Sequence, residues 1–235
     1  MESKINRYSK QLILINSFFI LAWLIISVFP FIWTFWGSFK VKADFFSRAD
    51  WMFAVTGVNT LIETGDTSTV KAYVESWTEG EFWKATMNTI IITVSVVTIS
   101  LFLGTLGAYA LSRSTYKYTF WILIAALIFR AMPHITLVSG YLFPFFQLNV
   151  WGILPTTIIV LVAINQPFTL WLLYSFFKTV PKELDESALI DGCSYFQAFR
   201  FVIMPVMWPG VVTAGLFSMM LAYNDFTVTS LLLNQ

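Results

Sequence analysis

Long apolar runs alternate with polar segments along this chain, and the pattern predicts membrane-spanning helices. Four apolar runs occupy residues 11–36, 87–111, 119–146 and 153–177, and residues 210–222 form the start of a fifth. A helix needs about 20 predominantly apolar residues to cross the hydrocarbon core, and each of the first four runs exceeds that length. The fifth run is interrupted by Tyr223-Asn224-Asp225-Phe226. We therefore expect an all-α integral membrane protein, a polytopic helix bundle with five spans.

Composition supports a membrane protein and excludes several kinds of site. The 235 residues are 57% hydrophobic and only 11% charged, whereas soluble proteins carry about 25% charged residues. A single cysteine, Cys193, and a single histidine, His134, exclude an intrachain disulfide and a histidine-pair zinc motif. No Gly-Lys pair occurs, so the chain has no phosphate-binding loop for ATP. The net charge of +1 gives no reason to expect a nucleic-acid partner.

The basic residues predict which segments face the cytoplasm, because lysine and arginine are enriched in cytoplasmic loops near the membrane. Eight of the fourteen lie in the N-terminal tail, the turn at 112–118 and the segment 178–200. Five others lie in the long loop 38–85, and Arg130 lies within a span. We expect a cytoplasmic N-terminus. The predicted division is a tail and first helix at 1–37, an external loop at 38–85, and a membrane core at 86–235.

The cytoplasmic loop 178–200 contains a predicted short amphipathic helix. Leu184, Ala188 and Ile190 form an apolar edge at helical spacing. Four acidic residues cover the other side: Glu183, Asp185, Glu186 and Asp191. Gly192 stands where a helix end often needs a left-handed residue. The pattern predicts a helix at the membrane surface whose small residues, Ser187 and Ala188, are open to another protein. A solvated connector between two spans is the alternative.

The spacing of this loop resembles a known family. Glu186-Ser187-Ala188 is followed by Gly192 and then by Val202-Ile203-Met204-Pro205. This order resembles the Glu-Ala-Ala loop of permease subunits from binding-protein-dependent ABC importers, with Ser187, Val202 and Met204 as departures from the usual residues. The Asp191-Gly192 pair and the closing Pro209-Gly210 look most like the carbohydrate branch, the maltose-type second permease family. The interruption at 223–226 resembles the Trp-Asn-Glu-Phe signature of sugar permeases.

The resemblance implies a multi-pass permease of a prokaryotic inner membrane rather than an enzyme. It implies half of the translocation path for a sugar or oligosaccharide, in a heterodimer with a second permease. Two ATP-binding subunits and an external solute-binding protein would complete the transporter. No catalytic residue, metal or cofactor is implied in this chain, and ATP-Mg would bind to the partner subunit. Residues that would couple the loop to the ATPase are Glu183, Glu186, Ser187, Ala188, Asp191 and Gly192.

Polar residues inside the spans are candidates for the solute path. They are Arg130, Asn165, Tyr223, Asn224 and Asp225. Arg130 lies roughly 18 Å along a helix from the preceding turn, near mid-membrane, where a charge is costly. It either lines or gates the path, or it snorkels or binds carbonyls freed by Pro133. For His134 we expect a structural hydrogen bond. Asn165 either satisfies backbone groups freed by Pro167 or faces solute.

Two features leave alternatives open. Permeases of this branch usually have six spans and a basic tail, but the chain ends soon after the fifth span. The expected sixth span is therefore absent, which a truncated sequence or a fragment would explain. An ABC importer for a non-sugar solute is a second hypothesis, distinguished by solute-stimulated ATP hydrolysis. A membrane scaffold or secondary transporter without an ATPase partner is the third, distinguished by the failure of an ATP-binding subunit to co-purify.

Overall fold

A computed structural model describes residues 2–38 and 68–233, and the regular structure within these ranges is helical. The helices are α1 (Glu2–Gly37), α2 (Ser68–Thr78), α3 (Phe82–Arg113), α4 (Thr119–Ala131), α5 (His134–Gln147), α6 (Leu154–Thr179), α7 (Glu183–Ile190), α8 (Tyr195–Gln197), α9 (Met204–Tyr223) and α10 (Phe226–Leu232). A π-helical turn, Ala198–Ile203, joins α8 to α9. The chain forms two compact units, Met1–Trp83 and Lys84–Gln235. Most of the predicted external loop lies outside the described residues.

Four helical segments in the described chain are long and apolar enough to cross a membrane. They are Leu12–Phe35, Phe82–Arg113, Leu154–Thr179 and Tyr195–Tyr223. These segments correspond to the first, second, fourth and fifth predicted spans. The last begins well before the predicted residue 210, because α8, the π-helical turn and α9 run on from one another. None of the residues in the apolar stretch of α1 is buried within the described chain.

The third predicted span is broken rather than continuous. Helices α4 and α5 meet at Met132 and Pro133 with a bend of 91°. Proline lacks a backbone N–H and disfavours the helical conformation in the residue before it. Met132 accordingly adopts an extended conformation, with φ −68° and ψ 143°. The predicted third span over 119–146 is therefore divided into two helices, which count as a fifth span when taken together.

Helix α6 is the central element of the second unit and packs against α4, α9 and α10. One buried cluster combines side chains of α3, α5, α9 and α10 with four residues of α6, namely Val160, Leu161, Val162 and Ile164. A second cluster combines Leu173 and Phe177 of α6 with side chains of α3, α9 and the π-helical turn. Asn165 and Pro167 lie along α6 between the two clusters. The polar middle of α6 therefore separates two apolar layers.

Close approach between helices depends on two glycines. A Cβ atom at Gly104 of α3 would lie 3.1 Å from Leu173 Cδ1, and one at Gly210 of α9 would lie 3.0 Å from Phe176 Cγ. Small residues let transmembrane helices approach closely enough for dispersion forces to hold them together. These contacts fix α3 and α9 against α6.

Candidate functional site

The helix predicted in the cytoplasmic loop is present as α7. It begins at Glu183, with Glu183, Asp185 and Glu186 in its first turn, where acidic side chains favour the positive end of the helix dipole. The helix ends at Ile190, and Gly192 just beyond it has a φ of +87°, which lies in the left-handed region. Gly192 N donates to the Leu189 carbonyl and Cys193 N to the Ala188 carbonyl, which together form a Schellman motif. The predicted position of the turn is confirmed.

The two sides of α7 differ from the prediction in one respect. Glu183, Glu186, Ser187 and Asp191 are exposed, so these side chains are available to a partner. Ala188 is only 5% exposed, and α7 packs against the π-helical turn that follows it. The prediction that Ala188 lies open to another protein is therefore wrong. Its face of the helix packs within the chain.

Sequence reasoning missed the contacts that Asp185 makes within the chain. Its carboxylate accepts a hydrogen bond from the Tyr109 hydroxyl, and its Oδ2 lies 2.8 Å from Arg113 Nη2. The prediction grouped Asp185 with the solvent-facing acids. Helical spacing contained a signal to the contrary, because Asp185 is three residues from the buried Ala188 and so shares its face. The partners themselves lie more than seventy positions away in the sequence.

Arg113 also binds the end of α6. Its Nη1 donates to the carbonyl of Val180 at 3.1 Å and to that of Phe177 at 3.3 Å. The last carbonyls of a helix have no partner within the helix, and a basic side chain commonly supplies one. The Arg113 guanidinium thus joins the ends of α3 and α6 to α7.

Next to Gly192, the loop presents exposed apolar side chains. Ile190, Tyr195 and Phe196 are 85%, 74% and 63% exposed. Ser194 and Gln197 form a capping box, with Ser194 Oγ accepting from Gln197 N and Gln197 Oε1 accepting from Ser194 N. Exposed apolar side chains clustered on a fixed backbone are typical of protein interaction sites. This patch lies between the C-terminal end of α6 and the start of α9.

A cavity of about 330 Å³ lies where several helices are interrupted. Its lining residues are Arg130, His134, Asn165, Met220, Leu221, Asn224, Asp225 and Thr227. The cavity brings together four of the five predicted solute-path residues. Tyr223 is the exception, since it is exposed and does not line the cavity. Broken helices around a polar cavity are common at the substrate sites of transport proteins.

Arg130 is held by α6. Its Nη1 donates to the Ile164 carbonyl at 3.1 Å and to Asn165 Oδ1 at 3.0 Å, and its guanidinium lies 5.6 Å from the centroid of the Phe168 ring. The carbonyl that it binds belongs to α6, not to the break at Pro133. Arg130 therefore reaches across to the turn of α6 that precedes Pro167 and still lines the cavity.

Asp225 links the break between α9 and α10 to the break between α4 and α5. Its Oδ1 accepts from Val228 N at 3.0 Å, which caps α10. Its Oδ2 lies 3.1 Å from His134 Nδ1, at the start of α5. The structural hydrogen bond expected for His134 is present, with an acid from a distant part of the sequence. Asn224 instead bonds locally, from Nδ2 to the Met220 carbonyl.

The described residues contain no group of three or more histidine, cysteine, aspartate or glutamate side chains that could hold a metal ion. In the described chain, Asn165 is 1% exposed and its Nδ2 has no hydrogen-bond partner. The cavity therefore offers hydrogen-bonding groups and a guanidinium rather than metal ligands.

A bundle of membrane-spanning helices, with a polar cavity among broken helices and a capped helix on one face, defines a multi-pass membrane transport protein. Residues 100–235 match the family described as binding-protein-dependent transport system inner membrane component. The match covers more than half of the chain, which therefore belongs to this family.

Similar proteins support the assignment. The chain is 29% identical over 218 residues to a diacetylchitobiose uptake system permease protein of Streptomyces coelicolor, covering 88% of this chain and 65% of that protein. It is 32% identical over 220 residues to a trehalose/maltose transport system permease protein of Thermococcus litoralis, covering 92% and 73%. A bacterial ABC transporter involved in the import of the acidic polysaccharide alginate has the same fold, with a TM-score of 0.73 and 21% identity over 94% of this chain and 74% of that one. The chain thus spans about two thirds of the length of these relatives.

Proposed function

We propose that this chain is a permease subunit of an ATP-driven importer and forms half of the translocation path for a sugar or oligosaccharide. The curated relatives named above are permeases for diacetylchitobiose and for trehalose or maltose. The single observation that carries the proposal is α7, a helix capped at Gly192 and presenting acidic and apolar side chains outside the spans. The sequence contains no ATP-binding loop, so a separate ATPase subunit would have to bind such a surface in order to move the permease.

The proposed orientation places the N-terminus and α7 in the cytoplasm of a prokaryotic cell. Lysine and arginine cluster in the N-terminal tail, in the turn after α3 and in the loop around α7, as expected of cytoplasmic segments. The segment 38–85 is then external and the segment 86–235 forms the membrane core. A solute-binding protein would deliver the solute from the external side.

The proposed partners follow from the two sites. Two ATP-binding subunits hydrolyse ATP-Mg, and one of them receives α7. The exposed Glu183, Glu186 and Asp191 pair with basic groups on that subunit, and Ile190 and Tyr195 contact its apolar surface. A second permease completes the path. The ATPase shifts the equilibrium between inward-open and outward-open states only through contacts that differ between them.

The cavity around Arg130 is the proposed solute-path segment of this chain. Sugars are neutral and rich in hydroxyl groups, so amide, carboxylate and guanidinium partners suit them. Arg130, Asn165, Asn224 and Asp225 supply these groups at one place. Tyr223 is exposed and stays a solute-path candidate on a surface shared with the second permease.

Co-purification tests the proposal. The tagged chain is expressed with its candidate partner subunits, and bound ATP-hydrolysing subunit is measured for wild type, Glu186→Arg and Glu79→Arg. Glu79 is an exposed acid before α3, on the opposite side of the membrane in the proposed orientation. We expect the ATPase to remain bound to wild type and to Glu79→Arg and to be lost from Glu186→Arg. If no ATPase is bound by the wild type, the importer proposal fails and a scaffold or secondary transporter is favoured.

Solute-stimulated ATP hydrolysis in proteoliposomes then tests the solute class. The complete transporter is supplied with binding protein and with neutral oligosaccharides, amines or phosphodiesters. ATP hydrolysis stimulated by an oligosaccharide supports a sugar importer. Stimulation by an amine or a phosphodiester alone would assign the chain to a non-sugar importer of the same family.

A further inference from the structure

We propose that Asp185 is a positioning residue that joins α7 to α3 and α6, so that a displacement of α7 moves the two spans with it. The proposal rests on the proposed function, since it concerns how α7 passes movement on once the ATPase is bound. The cluster that carries it consists of Tyr109, Arg113 and Asp185, which we call the inner cluster.

Arg113 is the centre of the inner cluster. Its two terminal nitrogens have different partners, with Nη1 bonded to the carbonyls of Val180 and Phe177 and Nη2 lying 2.8 Å from Asp185 Oδ2. One planar guanidinium therefore contacts α6 and α7 while it is itself part of α3. A planar group with several donors in fixed directions resists relative rotation of its partners more than a single charge does.

Burial makes this contact costly to break. The side chains of Arg113 and Asp185 are 16% and 13% exposed. In the described chain, Nη2 and Oδ2 have no partner besides each other, so the ion pair is their only compensation. Removing one member of a buried pair leaves the other charge without a partner, which is strongly unfavourable. The pair thus resists separation of α7 from α3.

Tyr109 fixes the direction of the carboxylate. Its hydroxyl donates to Asp185 Oδ1, which leaves Oδ2 for Arg113. The Tyr109 ring lies 4.9 Å from the Phe199 ring and 5.7 Å from the Phe177 ring, measured between centroids. The hydroxyl is therefore held by packing against α6 and the π-helical turn. Substitution by phenylalanine removes the hydrogen bond and leaves this packing in place.

The acids of α7 thus divide into two sets. Glu183 and Glu186 are exposed and available to a partner subunit, whereas Asp185 is directed into its own chain. If this division is functional, docking and transmission are separable. Loss of the inner cluster then leaves the ATPase bound and active, but its movement no longer reaches the spans.

The test uses the complete transporter in proteoliposomes with Asp185→Asn, Tyr109→Phe and the control Glu79→Gln, an exposed acid outside α7 and the inner cluster. Three quantities are measured: bound ATPase subunit, ATP turnover, and solute taken up per ATP hydrolysed. For Asp185→Asn we expect the ATPase to stay bound and the uptake per ATP to fall about five- to 100-fold, the usual range of coupling between sites. Tyr109→Phe is expected to show a smaller loss of the same kind, and Glu79→Gln is expected to keep the wild-type ratio.

A distance measurement separates positioning from simple folding of the loop. Spin labels are placed at Lys182→Cys, before α7, and at Lys117→Cys, after α3, in a Cys193→Ser background. We expect one narrow distance distribution through the ATP cycle in the wild type and a broad, nucleotide-dependent one in Asp185→Asn.

The outcomes distinguish the two proposals. Absence of a bound ATPase in the wild type would overturn the proposed function itself. With the ATPase bound to the wild type, normal uptake per ATP in Asp185→Asn overturns the positioning role. Loss of the ATPase from both Asp185→Asn and Tyr109→Phe also overturns it, because the cluster would then serve only to fold the docking surface.

Discussion

Gly192 shows how one backbone conformation decides the shape of the loop. Its φ of +87° is rarely adopted by residues with a Cβ atom, although a Cβ there would meet no atom within 4 Å. The requirement is therefore conformational and not steric. The residue type alone was enough to predict this position, since few residues other than glycine end a helix in this way.

Replacement of Gly192 by alanine is expected to weaken the end of α7 by roughly 1–2 kcal/mol, the cost of a left-handed residue with a Cβ. The Schellman hydrogen bond from Cys193 N to the Ala188 carbonyl would open more often. Hydrogen exchange at the Cys193 amide measures this opening. Gly192→Asn is the control, because asparagine tolerates the left-handed region better, and equal protection in the two variants would contradict the prediction.

Arg130 gives a second prediction at the residue scale. Arg130→Gln removes the charge and shortens the side chain that spans from α4 to Ile164 and Asn165. We expect solute uptake to fall by about tenfold or more while the ATPase subunit stays bound, since α7 is untouched. Uptake and co-purification are measured together, with Arg200→Gln, an exposed arginine of the π-helical turn, as the control. Unchanged uptake in Arg130→Gln would restrict Arg130 to helix packing.

At the scale of elements, the breaks between helices bring the cavity-lining residues together. Proline before α5 and the Asn224-Asp225 pair before α10 were visible in the sequence, and both are helix boundaries in the structure. The angle of 91° between α4 and α5 was not predictable. A proline specifies where a helix stops, but tertiary packing, which for α5 includes contact with α10, decides the direction in which the next helix leaves.

Packing between α6 and α9 gives an element-scale prediction. Gly210→Ala places a Cβ 3.0 Å from Phe176 Cγ, and such overpacking typically costs about 1–3 kcal/mol. We expect a lower melting temperature for the protein in detergent. Gly140→Ala is a matched control, because a Cβ at Gly140 would meet nothing within 4 Å. Similar melting temperatures for the two variants would show that Phe176 moves aside.

At the scale of the whole molecule, the proposed orientation gives a labelling prediction. Cys193 is the single cysteine of the chain and is partly exposed in the loop after α7. If this loop is cytoplasmic, a membrane-impermeant maleimide labels Cys193 in inside-out vesicles and not in right-side-out vesicles. The reverse pattern is expected for Leu148→Cys in a Cys193→Ser background, since Leu148 is exposed in the turn between α5 and α6. Labelling of Cys193 in right-side-out vesicles would invert the proposed topology.

The sequence by itself determined the class of the protein and the position of its surface helix. Apolar runs of more than about 20 residues admit little other than membrane spans, and the glycine and acid spacing of 183–192 is local information. The direction of Asp185, the burial of Ala188 and the meeting of Arg130 with Asn165 and Asp225 were decided only by tertiary structure. Each of these depends on partners far away in the chain, and helical periodicity specifies a face without specifying what packs against it.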